Sequence, residues 1–495
     1  MPILQVPLNS GRESNLQKAP GHFCSILWIV GLALCTAAML AGFYELSSDQ
    51  SISIMVLGVI FFILMWFAVS SAPNAELRSR NLVFALWWVL LGSEEVFSYV
   101  TEDAAGGQIS SGAYSEAMIW VFIIVVFLLY TSRHSQYLRT LFAGPYKWVS
   151  WFGVICLLSC AYAEKPDFSL AWIIKLFLAI LLLAACNYQI RNRDDLRSFL
   201  AVSQWGFAFL VFVPIARLLG NPEALATGRL FDVGTAPTML SVDAGLLVLF
   251  SLMLAEPGKN VSKNIFLFFG MIVMLLAAGK TGILGCIFGA VVFFMLQGKF
   301  KAAARFLLIL LVVGGLVVAF TPLGSYLKFY MGSGQAGTVT GRTDVWVAGW
   351  ELIKAKMLLG RGFMSSRFMA YKINVAWQPN HLHNGFLEVM YNNGLIGLVV
   401  ILMMQGWIAR NLVRTLRAVE HDHPLHQLAV GCFAVFLDIL INGLVSRTFG
   451  SRPDATFMVL FSLVFVSDRL WVAAKKKAAE VREVPAWQLS SVPAH

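Results

Sequence analysis

Four stretches of the chain, far apart in sequence, carry residue types that could hold an anion. Arg229 lies in ATGRLFDVGTAPTML, Lys280 in the tight turn AAGKTGILG, Arg342 in TVTGRTDVW, and His381 and His383 in NHLHNGFLEV. All but Arg342 stand just outside an apolar run. Arginine offers phosphate oxygens a planar fork, and lysine offers a point charge. Arg342 opens a helical pattern, where free backbone N–H groups and the positive dipole end add to the attraction. A lone outer arginine is commonly a lipid-headgroup contact. Lys280 is harder to explain that way: between glycines and close to hydrocarbon on both sides, a charge is costly unless paired or functional. Asp243 is the best placed of the charges inside apolar runs (Lys175, Asp438, and Glu94 and Glu95 near a run's outer end), because Arg229 stands at the outer end of its helix. A structural pair with Lys175 explains Asp243 equally well.

The elements that must position these groups are membrane helices. The chain has 495 residues, 58% hydrophobic and only 13% charged, with a mean hydropathy of +0.73. A soluble chain would carry about 25% charged residues. Spanning helices need roughly 20 apolar residues, and such runs recur from residue 24 to residue 471. The pattern predicts an all-α polytopic integral membrane protein with about 12–14 transmembrane helices. The first run, Cys24 to Tyr44, is followed by no cleavage site and reads as a retained helix. All seven cysteines fall in apolar runs and read as small fillers.

With the N-terminus inside, every inner segment carries Lys or Arg, including Arg78 and Arg80, Arg191, Arg193 and Arg197, and the terminal AAKKKAAE. The short outer loops hold only Lys165, Arg229, Lys280, Arg447 and Arg452. The positive-inside rule then sets both termini in the cytoplasm. It also accounts for the net charge of +10 without nucleic acid as a partner. The chain divides into a cytoplasmic tail (1–23), N-terminal transmembrane helices (24–219), transmembrane helices with outer-facing Arg and Lys (220–321), a large outer loop (322–385), C-terminal transmembrane helices (386–471) and a cytoplasmic tail (472–495). In the loop, Trp346, Trp350, Ile353 and Met357 recur at helical spacing, predicting an amphipathic helix that starts at Arg342 and stops at Gly360. HDHPLH, with His421, His423 and His426, falls on the inner side, and Pro424 disrupts its register, so no metal site is expected there.

The segment His383-Asn384, then nine residues, Gly394, two residues, Gly397 resembles the most specific local pattern of the O-antigen ligase and polymerase superfamily of bacterial membrane glycosyltransferases. GRTDVW…LLGRGF, with Arg342 and Arg361, resembles the rest of that family's core. GKTG resembles a turn where many members carry Arg, and Lys280 keeps the charge. GRLFDVGTAPTMLSVDAGL resembles a weaker upstream segment. The resemblance covers about residues 229–400, and the flanking segments look closer to exopolysaccharide-production members.

The resemblance implies a multi-pass protein of the bacterial inner membrane with a periplasmic active site. The donor would be a glycan on a polyprenyl (undecaprenyl) pyrophosphate, and the acceptor another glycan or lipid A core. The loop helix would lie at the periplasmic mouth, among membrane lipid. Arg342, Lys280 and Arg229 would stabilise the pyrophosphate leaving group without metal or cofactor. His383 would take the acceptor's proton, and His381, Asn384, Asp243 and Arg361 would help bind substrate. Arg447 and Arg452, in VSRTFGSRPD, form an outer loop beside the site. Polymerase and ligase are not separated by these motifs, although a polymerase would call for a chain-length regulator as partner. The rival class is a flippase or other transporter of the same lipid-linked glycan. Transporters gather polar groups near the membrane midplane, whereas here they gather on the outer loop.

Overall fold

A computed structural model describes residues 72–102, 111–220, 225, 228–230, 236–255, 261–332, 342–372 and 381–483. The two expected spans at 24–44 and 52–71, and the tail before them, lie outside these residues. The protein is all-α, with no strand among the described residues. In chain order the helices are α1 (Ala75–Glu102), α2 (Ser111–Arg133), α3 (Lys147–Ser159), α4 (Pro166–Gln189), α5 (Arg193–Gly220), α6 (Pro237–Met253) and α7 (Val261–Ala277). They continue as α8 (Lys280–Leu296), α9 (Phe300–Phe320), α10 (Leu323–Gly332), α11 (Arg342–Lys354), α12 (Gly385–Ala418), α13 (Pro424–Val445) and α14 (Ala455–Glu483). Among the described residues five helices are long and apolar enough to cross a membrane: α4, α9, α12, α13 and most of α14; shorter apolar helices include α6 and α8. The architecture is that of a polytopic membrane protein.

Hydropathy alone does not say which helices are central. The apolar stretch of α9 is more hydrophobic than that of α14, yet it is 11% buried against 72%. Lipid is as good a solvent for leucine as the bundle interior is, so burial follows packing rather than hydropathy. α14 packs against α12 and α13, and α8 lies between α6 and α13. The approach of α8 to α6 depends on small residues: a Cβ on Gly282 would come within 2.6 Å of the Ser241 main chain. Small residues at membrane helix interfaces serve this close contact. At the expected cytoplasmic ends, Arg80 pairs with Asp195, and Arg469 donates to the Asn187 carbonyl at 3.0 Å.

α12 is broken near its N-terminal end. Gly394 has φ 64° and ψ −164°, which interrupts the helical ladder inside a span. Freed backbone groups in such a place need other partners. Residues 357–362 supply them. Leu395 N–H donates to Met357 O at 2.8 Å, Arg361 N–H to Tyr391 O at 2.8 Å and Gly362 N–H to Asn392 O at 2.8 Å. A Cβ at Gly394 would run into the Leu358 carbonyl, and one at Gly360 would meet Asn392 O at 2.5 Å. The two glycines are therefore the condition for this insertion. The same strip of loop rests on the α3–α4 turn: Ser169 Oγ donates to Phe363 O at 2.6 Å, and Phe363 N–H to Ser159 Oγ at 2.9 Å.

Candidate functional site

The loop helix α11 begins at Arg342, where the sequence puts it, but its inner face is rotated from the expected one. Val345, Gly349 and Ile353 are the buried positions, while Trp350 and Met357 are exposed. Gly349 decides this: a Cβ there would collide with Leu382, so the row at 345, 349 and 353 fits the histidine loop. The helix proper ends at Lys354, and a turn carries the chain on to Gly360. Leu382 forms a small core with Val345, Ile353, Met369 and Tyr391.

Around that core the structure brings together four of the expected site residues. The His381 and His383 rings lie 3.9 Å apart between centroids. Asn384 caps α12, its side-chain oxygen accepting from Phe386 N–H at 3.0 Å and Leu387 N–H at 3.1 Å. Its amide nitrogen donates to Leu444 O at 2.8 Å. Arg342 donates from Nη1 to the next carbonyl along, that of Val445. The guanidinium and the histidine loop thus meet at the C-terminal end of α13.

Electrostatics follow from this crowding. Burial, then the Arg342 charge, then that of Arg447 push His383 down to about 3. His381 falls well below the usual imidazole range through burial, then His383, then Arg447, Arg367 and Arg452. Arg447 and Arg452 are buried in the loop between α13 and α14, and their charges act on the histidines. Both imidazoles are therefore neutral at ordinary pH, beside several guanidinium groups. A neutral imidazole can accept a proton, which an imidazolium cannot.

Arg229 and Lys280 form a second group. The Arg229 guanidinium donates from Nε to Ala277 O at 2.9 Å and from Nη2 to Ala278 O at 3.4 Å. It also lies 5.5 Å over the Tyr326 ring. It thus fastens the α7–α8 turn from which Lys280 opens α8, exposed at the helix N-terminus. The start of α6 links the two groups. Ser241 Oγ donates to Gly279 O at 3.1 Å in the turn, and Ser446 Oγ approaches Met239 Sδ at 3.7 Å beside the end of α13.

The remaining expected residues have mainly internal partners. Asp243 is buried on α6 and accepts from Thr456 Oγ1 of α14 at 3.4 Å. Lys175 lies over the rings of Trp120 and Trp172, at 5.3 and 5.2 Å. Arg361 donates to Leu352 O at 3.1 Å and stands 5.6 Å over the Tyr391 ring, tying α11 to α12. On the other side of the bundle, His421 Nδ1 and His426 Nε2 lie 3.1 Å apart, and His423 caps α13.

Sequence reasoning passed over Glu388, Asn392 and Asn393, all buried on α12. Asn392 Nδ2 donates to Gly450 O at 2.9 Å, and its Oδ1 accepts from Ser366 N–H at 2.9 Å. The signal was present: Glu388 and Asn392 are one turn apart in an otherwise apolar span, where polar groups need a reason.

No curated protein matches the chain. Residues 265–402 match the family model described as O-antigen ligase. The matched segment contains Lys280, Arg342, Arg361, His381, His383, Asn384 and the Gly394 break, and leaves Arg229 and Asp243 outside it. Over that segment the chain is similar to the O-antigen ligase family, in line with the resemblance carried by its motifs.

Proposed function

We propose that the protein transfers a glycan from a polyprenyl-pyrophosphate-linked donor to an acceptor sugar at the periplasmic face of the inner membrane. The acceptor hydroxyl oxygen attacks the anomeric carbon, and the bond from that carbon to the pyrophosphate oxygen breaks. The bonding pair leaves with the pyrophosphate. The hydroxyl proton goes to His383. The observation that carries this reading is a neutral imidazole beside Arg342, seated where a helix cap and a kinked span hold its backbone.

Arg342 faces the charge that grows on the leaving oxygen, with Lys280 and the turn held by Arg229 as the second arm of the clamp. The donor also changes His383. The bare site lowers its basicity through burial and nearby guanidinium charge. A docked pyrophosphate offsets that charge and raises the proton affinity of the ring. The base thus gains strength when the leaving group is in place. Arg447 and Arg452, buried beside the histidines, extend the cationic lining toward the glycan. Purified His383→Ala, given donor and acceptor, should retain donor binding and lose turnover by about 10²–10⁴-fold, the usual contribution of a positioned general base. Near-normal turnover would remove His383 from this role.

A further inference from the structure

We propose that Glu388 is a positioning residue for His383, holding the Leu382 N–H from beneath while Trp346 holds the Leu382 carbonyl, so that one residue clamped at both of its peptide groups aims the imidazole. This rests on the reading of His383 as the base. Leu382 lies between the two histidines, and both of its backbone groups are engaged by side chains from helices. Its N–H donates to Glu388 Oε1 at 2.5 Å. Its carbonyl accepts from Trp346 Nε1 at 2.7 Å. Its own side chain is buried in the small core under α11.

The clamp is needed because His383 has φ 51°, a left-handed conformation that a residue with a Cβ seldom adopts. Such a backbone persists only where the surroundings over-determine it. The Asn384 cap fixes the peptide on one side of His383, and the Glu388–Leu382–Trp346 clamp fixes the other. Glu388 sits one turn into α12, fully buried. A leucine there would fill the space but leave a buried N–H without an acceptor. Burying a carboxyl in a helix that spans a membrane is costly, and the Leu382 contact is what that carboxyl accomplishes. Its Oε2 makes no hydrogen bond and the Ser366 side chain is its other polar neighbour, so an amide oxygen in the place of Oε1 can keep the Leu382 contact.

The test compares Glu388→Gln, Glu388→Asp, Glu388→Ala, Trp346→Phe and His383→Ala as purified full-length proteins. Turnover and donor KM are measured per folded molecule, and hydrogen exchange is followed in the peptide covering 381–388. Glu388→Ala should lose turnover by about 10²-fold, the cost of a small misplacement of a reacting group, with KM little changed and exchange at the histidine loop accelerated. Glu388→Gln should keep most turnover and the protection. Glu388→Asp, whose shorter arm withdraws the oxygen, should behave like Ala. Trp346→Phe, which deletes only the N–H donor, should show the same split in weaker form. If Glu388→Ala does not fold, the order of Gln above Asp decides. His383→Ala inactive with Glu388→Ala near wild type overturns the clamp and leaves the base in place. Glu388→Gln as inactive as Ala with protection intact also overturns it, since charge or proton transfer at Glu388 would then be what matters. An active His383→Ala removes the base and the clamp together.

Discussion

His383 combines a strained backbone, a depressed proton affinity and a neighbouring guanidinium, and each has a measurable consequence. Its pKa lies below the ordinary value of 6.5, at about 3, so the free site holds a neutral ring throughout the physiological range. The pH profile of kcat/KM, which reports the free enzyme, should show no acid limb at 6.5. The profile of kcat should show a limb displaced upward from about 3, because the pyrophosphate of the proposed donor would offset Arg342. Matching limbs near 6.5 in both profiles would contradict this. The same shift bears on stability. The folded state favours the neutral ring, so His383 contributes stability above 6.5 that is lost as pH falls toward about 3. Arg342 separates fork from charge. Arg342→Ala should lower turnover by about 10²–10³-fold, the cost of removing one preorganised donor to a developing anion. Arg342→Lys should remain clearly impaired, because it keeps the charge and loses the planar fork that reaches the Val445 carbonyl. A silent Arg342→Lys would make the residue a headgroup contact.

At the scale of elements, the helix opened by Arg342, the His383-Asn384 motif and the Gly394 and Gly397 pair are legible in the sequence because each has a local signature. What the sequence conceals is the insertion of residues 357–362 into the break of α12. The hydrogen bonds that close it join groups thirty or more residues apart, and no local pattern encodes them. The rotation of α11 was hidden for a similar reason: the apolar stripe is broad, and Leu382 selects which part faces inward. Gly394→Ala is the sharpest test of the insertion. It forces a Cβ into the Leu358 carbonyl at a positive φ, a strain of about 1–3 kcal/mol before any clash. The thermal midpoint of the purified protein should fall, and hydrogen exchange should rise in both 357–362 and 391–396. A rise confined to α12 would mean that the two segments are not coupled.

For the whole molecule, composition was enough to read an all-α membrane protein, since low charge and recurrent apolar runs leave few alternatives. The order of burial was not readable, because lipid-facing and bundle-facing surfaces are equally apolar; α9 and α14 differ in position far more than in hydropathy. The site was read as a set of outer cations and imidazoles. The buried polar residues of α12, Glu388 and Asn392, were lost in their apolar surroundings. Orientation is open to direct measurement. A cysteine at Val347, which is 63% exposed on α11, should react with an impermeant thiol reagent added from the periplasmic side. One at Ala418, at the far end of α12, should not. The central claim is that the outer site performs glycan transfer, and the most direct measurement uses purified protein in detergent with lipid-linked donor and acceptor. Glycan joined to acceptor without a bilayer, and lost in His383→Ala of equal fold and donor binding, is the predicted result. Folded wild-type protein that binds donor yet forms no product in detergent, while moving it across a reconstituted bilayer, would contradict it.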